Sequence, residues 1–452
     1  MPRLFLALCL GLQCCHPSFA DEKDRTPNTL TKQEIADGWI LLFDGETTFG
    51  WKVEGEARVE KGELVLGGEK ETTVKTGALP NGTLYLEVLD AAPQYRFKTT
   101  INGVPTVVVP PPQEGGMTAG GGKYNSWEVG LGGNKVIAAT VKDMDSGRLI
   151  VGFGPALSAP DSTAGHKPLA PGGSELGFQV PAGHSIRLKN VRFKPSGQES
   201  VFNGKDLAGW KAIEGKNYKS KFSVTEKGEL NIKDGGGDIQ TEGEWDDFVL
   251  QLDIIANGHR LNSGVFFRCV PGQFWSGYEA QVRNDFLSEV QLNDGTVHSG
   301  HLSEKEGTYT VRLHEKQGDK MVPVMEPAEE GKRPRQKQLK IAKSEVKSVR
   351  DLREFPVDFG TGGLYNRQPA RKVTSSDGEY FTMTVIAHGA HIAIWVNGYQ
   401  TVDFTDTAKD APSARQGRKL GKGPISLQGH DPTTDLSFKN IRVAPMAKAV
   451  NK

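Results

Sequence analysis

The stretch Phe202-Asn203-Gly204-Lys205-Asp206-Leu207-Ala208-Gly209-Trp210-Lys211 decides the fold, because Phe43-Asp44-Gly45-Glu46-Thr47-Thr48-Phe49-Gly50-Trp51-Lys52 has already presented the same pattern. In both, an aromatic residue, an Asx-Gly turn and a four-residue spacer lead to Gly-Trp-Lys. Each copy continues through a Lys-Gly-Glu-Leu turn, at 61–64 and 227–230. Each also closes alike, Leu188-Lys189-Asn190-Val191-Arg192 matching Phe438-Lys439-Asn440-Ile441-Arg442. Between these ends, Tyr124 precedes Gly132-Gly133 by the interval that separates Tyr380 from His388-Gly389. Matched landmarks in one order imply two related domains, 38–196 and 199–446.

The local pattern inside each copy is β. Phe248–Ile255, Gly264–Val270, Tyr278–Arg283, Phe381–Ala387 and His391–Val396 are short, rich in β-branched and aromatic residues, and bounded by Gly, Asn or Asp. Asn397-Gly398 is a hairpin-turn signal. A helix is expected at Thr31–Ala36, where Thr31 and Glu34 form a capping box and Gly38 follows the end. The spacing predicts an all-β chain of two tandem β-sandwiches. The second copy is longer, and 287–354 reads as an insertion within it, with a small hairpin in 295–315.

Composition narrows the function classes. Of 452 residues, 37% are hydrophobic and 24% charged, with Lys+Arg equal to Asp+Glu at 55 each. That balance supplies no general field for nucleic acid or anionic lipid. Glycine (55) and proline (25) make up about 18% of the chain, above a usual background of about 12%, as many tight turns require. Residues 1–20 read as a secretory leader: Arg3, an apolar run Leu4–Leu12, then Ser18-Phe19-Ala20 before an acidic start. The run is too short to span a bilayer, and the expected location is secreted or periplasmic. Cys9, Cys14 and Cys15 belong to that leader, which leaves Cys269 without a disulfide partner and expected in the core. Eight Lys/Arg within 332–350 make either an anionic-partner patch or a solvated surface excursion.

Strand alternation selects candidate site residues. In Tyr278–Arg283, the apolar Tyr278, Ala280 and Val282 face one way, so Glu279, Gln281 and Arg283 line the other face, with Asp285 just beyond. Arg268 shares a face with Phe266 and Gly264, and Gln428 and His430 share one with Ser426. Acid, amide, guanidinium and imidazole on one sheet face suit a sugar, whose vicinal hydroxyls take paired hydrogen bonds. Trp275 or Tyr365 would stack on a pyranose. The competing reading is a solvated sheet face. P-loop, G-x-S-x-G and H-E-x-x-H motifs are absent. The His298/His301 and His388/His391 pairs are not expected to bind metal. E-x-D-x-x-E, the paired-carboxylate signature of sandwich glycosidases, is also absent.

Phe202-Asn203-Gly204-Lys205-Asp206-Leu207-x-Gly209-Trp210, Asn262-Ser263-Gly264-Val265-Phe266-Phe267-Arg268, Gly277-Tyr278-Glu279-x-Gln281, Thr361-Gly362-Gly363-Leu364-Tyr365 and Ile425-x-Leu427-Gln428-Gly429-His430 together resemble the 3-keto-disaccharide hydrolase family. The first copy resembles it only at its ends and at Tyr124–Trp127, as a degenerate copy. The resemblance implies concanavalin A-like jelly-roll sandwiches and action on glycosides oxidised at C3. It also implies a divalent metal in some members. A C3 ketone acidifies the C2 hydrogen; a base removes it, the C1 substituent leaves by elimination, and water adds back. Under this resemblance Glu279 or His430 serves as base or acid, and Arg268 stabilises the developing oxyanion. Gln281, Tyr365 and Gln428 orient hydroxyls, and Asp285 is a metal ligand or second acid. The alternative is a non-catalytic carbohydrate-binding protein using the same face.

Overall fold

Trp51 and Trp210, the centres of the two repeated stretches, are both buried. Each indole Nε1 donates to the carbonyl nine residues earlier, Leu42 at 2.6 Å and Val201 at 2.8 Å. The repeated closings have an equally local cause. Asn190 and Asn440 both adopt φ of 51°, each at a register shift in its closing strand. Asparagine tolerates that left-handed conformation better than most residues.

The computed structural model describes residues 26–89, 97–101, 104–108, 124–132, 135–143, 149–151, 173–327, 333–411 and 417–448. The leader 1–20 lies outside them. The chain is all-β with antiparallel sheets; among the described residues the exceptions are the short helix Lys32–Ala36 and a 3-10 turn at Lys343–Glu345. Thr31 and Glu34 form the expected capping box. When the strands of each sandwich are counted in chain order without the insertion, the two sandwiches agree strand for strand. Each has a long sheet in the order 11-10-9-6-13-4-3, with strand 1 beside 13, and a short sheet in the order 2-5-12-7-8.

In each sandwich the alternate residues of both sheets meet in one core. Leu66 and Leu86 of the first long sheet pack with Val74 and Phe178 of its short sheet. Leu250 and Phe438 of the second long sheet pack with Val265 and Leu427 of its short sheet. Val249, Ile386 and Trp395 point outward from the second sandwich and join the first core instead. Trp395 Nε1 donates to Leu41 O at 2.8 Å across that contact. The two sandwiches therefore share buried apolar surface.

Six strands from Phe286 to Pro356 interrupt the second sandwich between its eighth and ninth strands and form a sheet of their own. Its core is small, centred on Val290, Leu302, Val311 and Ile341. Of the basic residues that follow position 332, Lys343 pairs with Glu304 and Arg350 with Glu289, so part of that positive charge is neutralised within the insertion. Cys269 is a buried free thiol, which burial holds protonated.

Candidate active site

The short sheet of the second sandwich places Gly237–Thr241, Ser426–Gly429, Ser263–Phe267 and Tyr278–Val282 side by side. Ile239, Leu427, Val265 and Ala280 enter the core, so the alternate residues point to the opposite face. Register aligns these into two rows across the sheet: Asp238, Gln428, Gly264 and Gln281, then Gln240, Ser426, Phe266 and Glu279. A solvated face would leave such side chains exposed. Here Asp238, Gln428 and Gln281 are each 1% exposed and Glu279 8%, because two loops close over them.

The first loop, 268–277, bears Trp275. It is tied down where Gly272 N donates to Gln240 Oε1 at 2.9 Å and Gln240 Nε2 donates to Gln273 O at 3.3 Å. Trp275 has φ of 58°. Its backbone N–H reaches Asp238 Oδ2 at 3.3 Å and its indole Nε1 reaches Glu279 Oε2, also at 3.3 Å. One tryptophan thus joins carboxylates from opposite sides of the sheet. A Cβ on Gly264 would lie 2.7 Å from Glu279 Oε1, so glycine there makes room for the carboxylate.

The second loop follows the insertion. Gly362 N donates to Gln281 O at 2.8 Å and Tyr365 N to Glu279 O at 2.9 Å, which fixes the loop along the strand. The Tyr365 ring packs on Phe359, centroids 5.0 Å apart. Phe266, Trp275, Glu279, Tyr365 and Arg367 line a cleft that opens to solvent.

Gln281 Nε2 donates to Asp358 O at 3.1 Å, which directs its Oε1 elsewhere. That oxygen, Gln428 Oε1, Asn262 Oδ1 and Asp238 Oδ1 are buried without a protein hydrogen-bond partner. Buried acceptors in that state favour a ligand or water that brings donors. Burial raises the Asp238 pKa to about 7, and the Trp275 N–H and Ser426 hydroxyl only partly oppose it.

The remaining sequence-derived residues divide. His430 stands at the rim, just past the strand end; its Nε2 lies 3.1 Å from Asn262 Nδ2 and its Nδ1 3.0 Å from Asp431 Oδ2. Those partners assign the proton to Nδ1, since the amide nitrogen donates and the carboxylate accepts. Arg268 departs from its expected face. The regular strand ends at Phe267, and φ of 53° at Arg268 breaks the alternation. Its guanidinium is buried against Asp247 and the carbonyls of Asp246, Gly389 and Lys419, where it pins loops together. Arg283 bonds Asp358 at 2.9 Å and Asp285 at 3.3 Å.

Asp285 does not fit a cation ligand. Its oxygens face His301 at 2.9 Å, Arg260 at 3.2 Å and Arg283. Burial alone would raise its pKa, yet these three groups hold it below the ordinary carboxylate value. Two guanidinium groups repel the metal that the carboxylate would attract. Among the described residues no cluster of three His, Cys, Asp or Glu side chains is placed to hold a metal ion. His388 and His391 do stand opposite each other across a hairpin, but they bond Ala447 O and Asp403 respectively.

Asp238, Gln240 and Asn262 were not singled out by the sequence reading. Gly237-Asp238-Ile239-Gln240-Thr241 alternates as clearly as Tyr278–Val282 does, and that signal points to Asp238 and Gln240.

Residues 197–444, more than half of the chain, match the family described as the 3-keto-alpha-glucoside-1,2-lyase-like domain. No curated protein matches the chain. Among solved structures, a candidate glycosyl hydrolase from Parabacteroides distasonis is similar at 19% identity and a TM-score of 0.34, over 56% of this chain and 94% of that one. A carbohydrate-binding module from Bacillus subtilis is similar at 14% identity and 0.27, over 53% and 97%. The kappa-carrageenase of Pseudoalteromonas carrageenovora is similar at 10% and 0.23, over 55% and 96%. Likeness at that level says nothing of activity.

Proposed function

We propose, since this chain belongs to the 3-keto-alpha-glucoside-1,2-lyase-like domain family, that its second sandwich cleaves glycosides oxidised at C3, with Glu279 as the base that removes the C2 hydrogen. The observation that carries this reading is a buried carboxylate beside two aromatic rings, on a sheet face whose amide oxygens await donors. The C3 ketone stabilises the resulting enolate, which expels the C1 substituent; water then adds to C1 and C2 recovers its proton. Trp275 and Tyr365 flank the sugar ring, while Gln281 and Gln428 accept hydrogen bonds from its hydroxyls. His430 contacts the portion of substrate at the rim.

The same proposal takes residues 1–20 as an export signal and the first sandwich as a degenerate copy without a site of its own. The one-to-one strand order supports the latter. So does Val104-Pro105-Thr106-Val107-Val108, the strand matching Tyr278–Val282, which contains no acid.

The test is release of 3-keto-glucose from 3-keto-trehalose and 3-keto-glucosides by the purified protein. Glu279→Gln is expected to lower turnover by about 10³-fold while binding of the ketosugar persists. Turnover equal to wild type in that variant removes Glu279 as the base. Binding without turnover in the wild type makes the protein a carbohydrate-binding module.

A further inference from the structure

Removing the C2 hydrogen solves half of an elimination. The glycosidic oxygen still leaves C1 with the bonding pair, and a sugar alkoxide is a poor leaving group unless a proton reaches it as the bond breaks. Glu279 cannot give that proton at the moment it takes one from C2. The site holds a second carboxyl with no other evident task. Asp238 is 1% exposed, among the described residues it has no ion-pair partner, and its Oδ1 has no donor. Its charge acts on Cys269, whose buried thiol stays neutral. Gln428 beside it in the sheet is uncharged.

Asp238 and Glu279 stand on strands three spacings apart and in different rows, about 16 Å at the backbone. Glu279 leans inward over Gly264. Trp275 covers the remaining span, touching one carboxylate through its backbone and the other through its indole. For both carboxyls to act on one substrate, its sugar ring must lie along Trp275.

Resting on the lyase reading above, we propose that Asp238 is the catalytic acid for the leaving group, and then the base for the incoming water. Glu279 takes the C2 hydrogen as a proton, and the C–H pair becomes the enolate. The enolate pair forms the C1–C2 double bond, the C1–O bond breaks, and the departing oxygen receives the Asp238 proton. In hydration the water oxygen bonds to C1, its proton goes to Asp238, and Glu279 returns a proton to C2. Both carboxyls end as they began and one water is consumed. A group that burial holds near pH 7 is still partly protonated at neutral pH and remains acidic enough to donate.

The experiment compares 4-nitrophenyl and methyl 3-keto-glucosides, since nitrophenolate departs without an acid and methoxide does not. For Asp238→Asn, turnover of the methyl substrate is expected to fall by roughly 10²- to 10⁴-fold. The nitrophenyl substrate should fall far less, so the ratio of the two turnovers rises by about 10²-fold or more; Glu279→Gln lowers both. In the wild type, turnover of the methyl substrate alone should decline as pH rises above about 7. Equal losses on both substrates in Asp238→Asn leave Asp238 as a residue that positions Trp275 and overturn the acid assignment, with the Glu279 reading intact. If Asp238→Asn fails to fold, the two wild-type pH profiles decide, and parallel profiles overturn the assignment. A wild type inert on both substrates overturns the lyase reading and this inference with it.

Discussion

The two sandwiches have one strand order and two different faces. On the second, the short sheet turns Asp238, Gln240 and Gln428 toward a covered site. In the first, the matching register positions are Thr73, Lys75 and Gln179; Lys75 is exposed and the other two are half-buried. The difference begins with loop length. Strands seven and eight of the first sandwich, Phe97–Ile101 and Val104–Val108, are two residues apart, whereas Ser263–Phe267 and Tyr278–Val282 are separated by ten. Ten are enough to carry Trp275 back over the sheet, remove the polar rows from water and join two carboxylates through one residue. The same scaffold can therefore serve as a packing partner or as a site, according to what covers its sheet.

Where the sandwiches are equivalent, equal damage should follow. Trp51→Ala and Trp210→Ala each remove a buried indole and its hydrogen bond to the carbonyl nine residues earlier. Each is expected to cost about 3–5 kcal/mol, read from the shift in the denaturant unfolding midpoint. A large cost in one and none in the other would break the equivalence of the two domains.

Where they differ, Asp238 supplies a stability test that does not depend on catalysis. Its carboxyl keeps a proton in the folded chain between its ordinary pKa of 3.8 and about 7, when the unfolded chain has already lost it. Stability therefore falls as pH rises through that window, and the cost is complete above about pH 7. Asp238→Asn should remove this dependence. Its stability relative to wild type should rise across the window and level off at a gain of the order of 4 kcal/mol at pH 8, measured as melting temperature against pH. A pH-independent difference would mean that the carboxyl is not held protonated by burial.

The smallest effect is expected at the equivalent exposed position. Lys75→Gln, which gives the first sandwich the residue found at Gln240, should change stability by less than about 0.5 kcal/mol and leave ketosugar turnover unaltered. A clear loss of turnover would show that the first sheet face takes part in function after all.

Much of the second sandwich was legible in the chain because its signals are local. Alternation in Tyr278–Val282 named Glu279 and Gln281, and the same pattern in Ser426–Gly429 named Gln428. Arg268 escaped that logic because one residue with positive φ ends the period-two rule. Asp285 stands in the sequence as a metal ligand or second acid because its companions, Arg260 and His301, lie 25 and 16 positions away and meet it only after the insertion folds.

The amino-acid sequence by itself determined the all-β class, the duplicated landmarks, the capped helix and the face on which Glu279 lies, since each follows from turn chemistry or from the two-residue period of a strand. Tertiary structure alone decided that Asp238 joins Glu279 through Trp275, that Arg268 is tied into the interior, and that one carboxyl titrates near pH 7. Those properties depend on which groups exclude water from a given atom, and desolvation belongs to the surroundings that distant segments assemble around a residue.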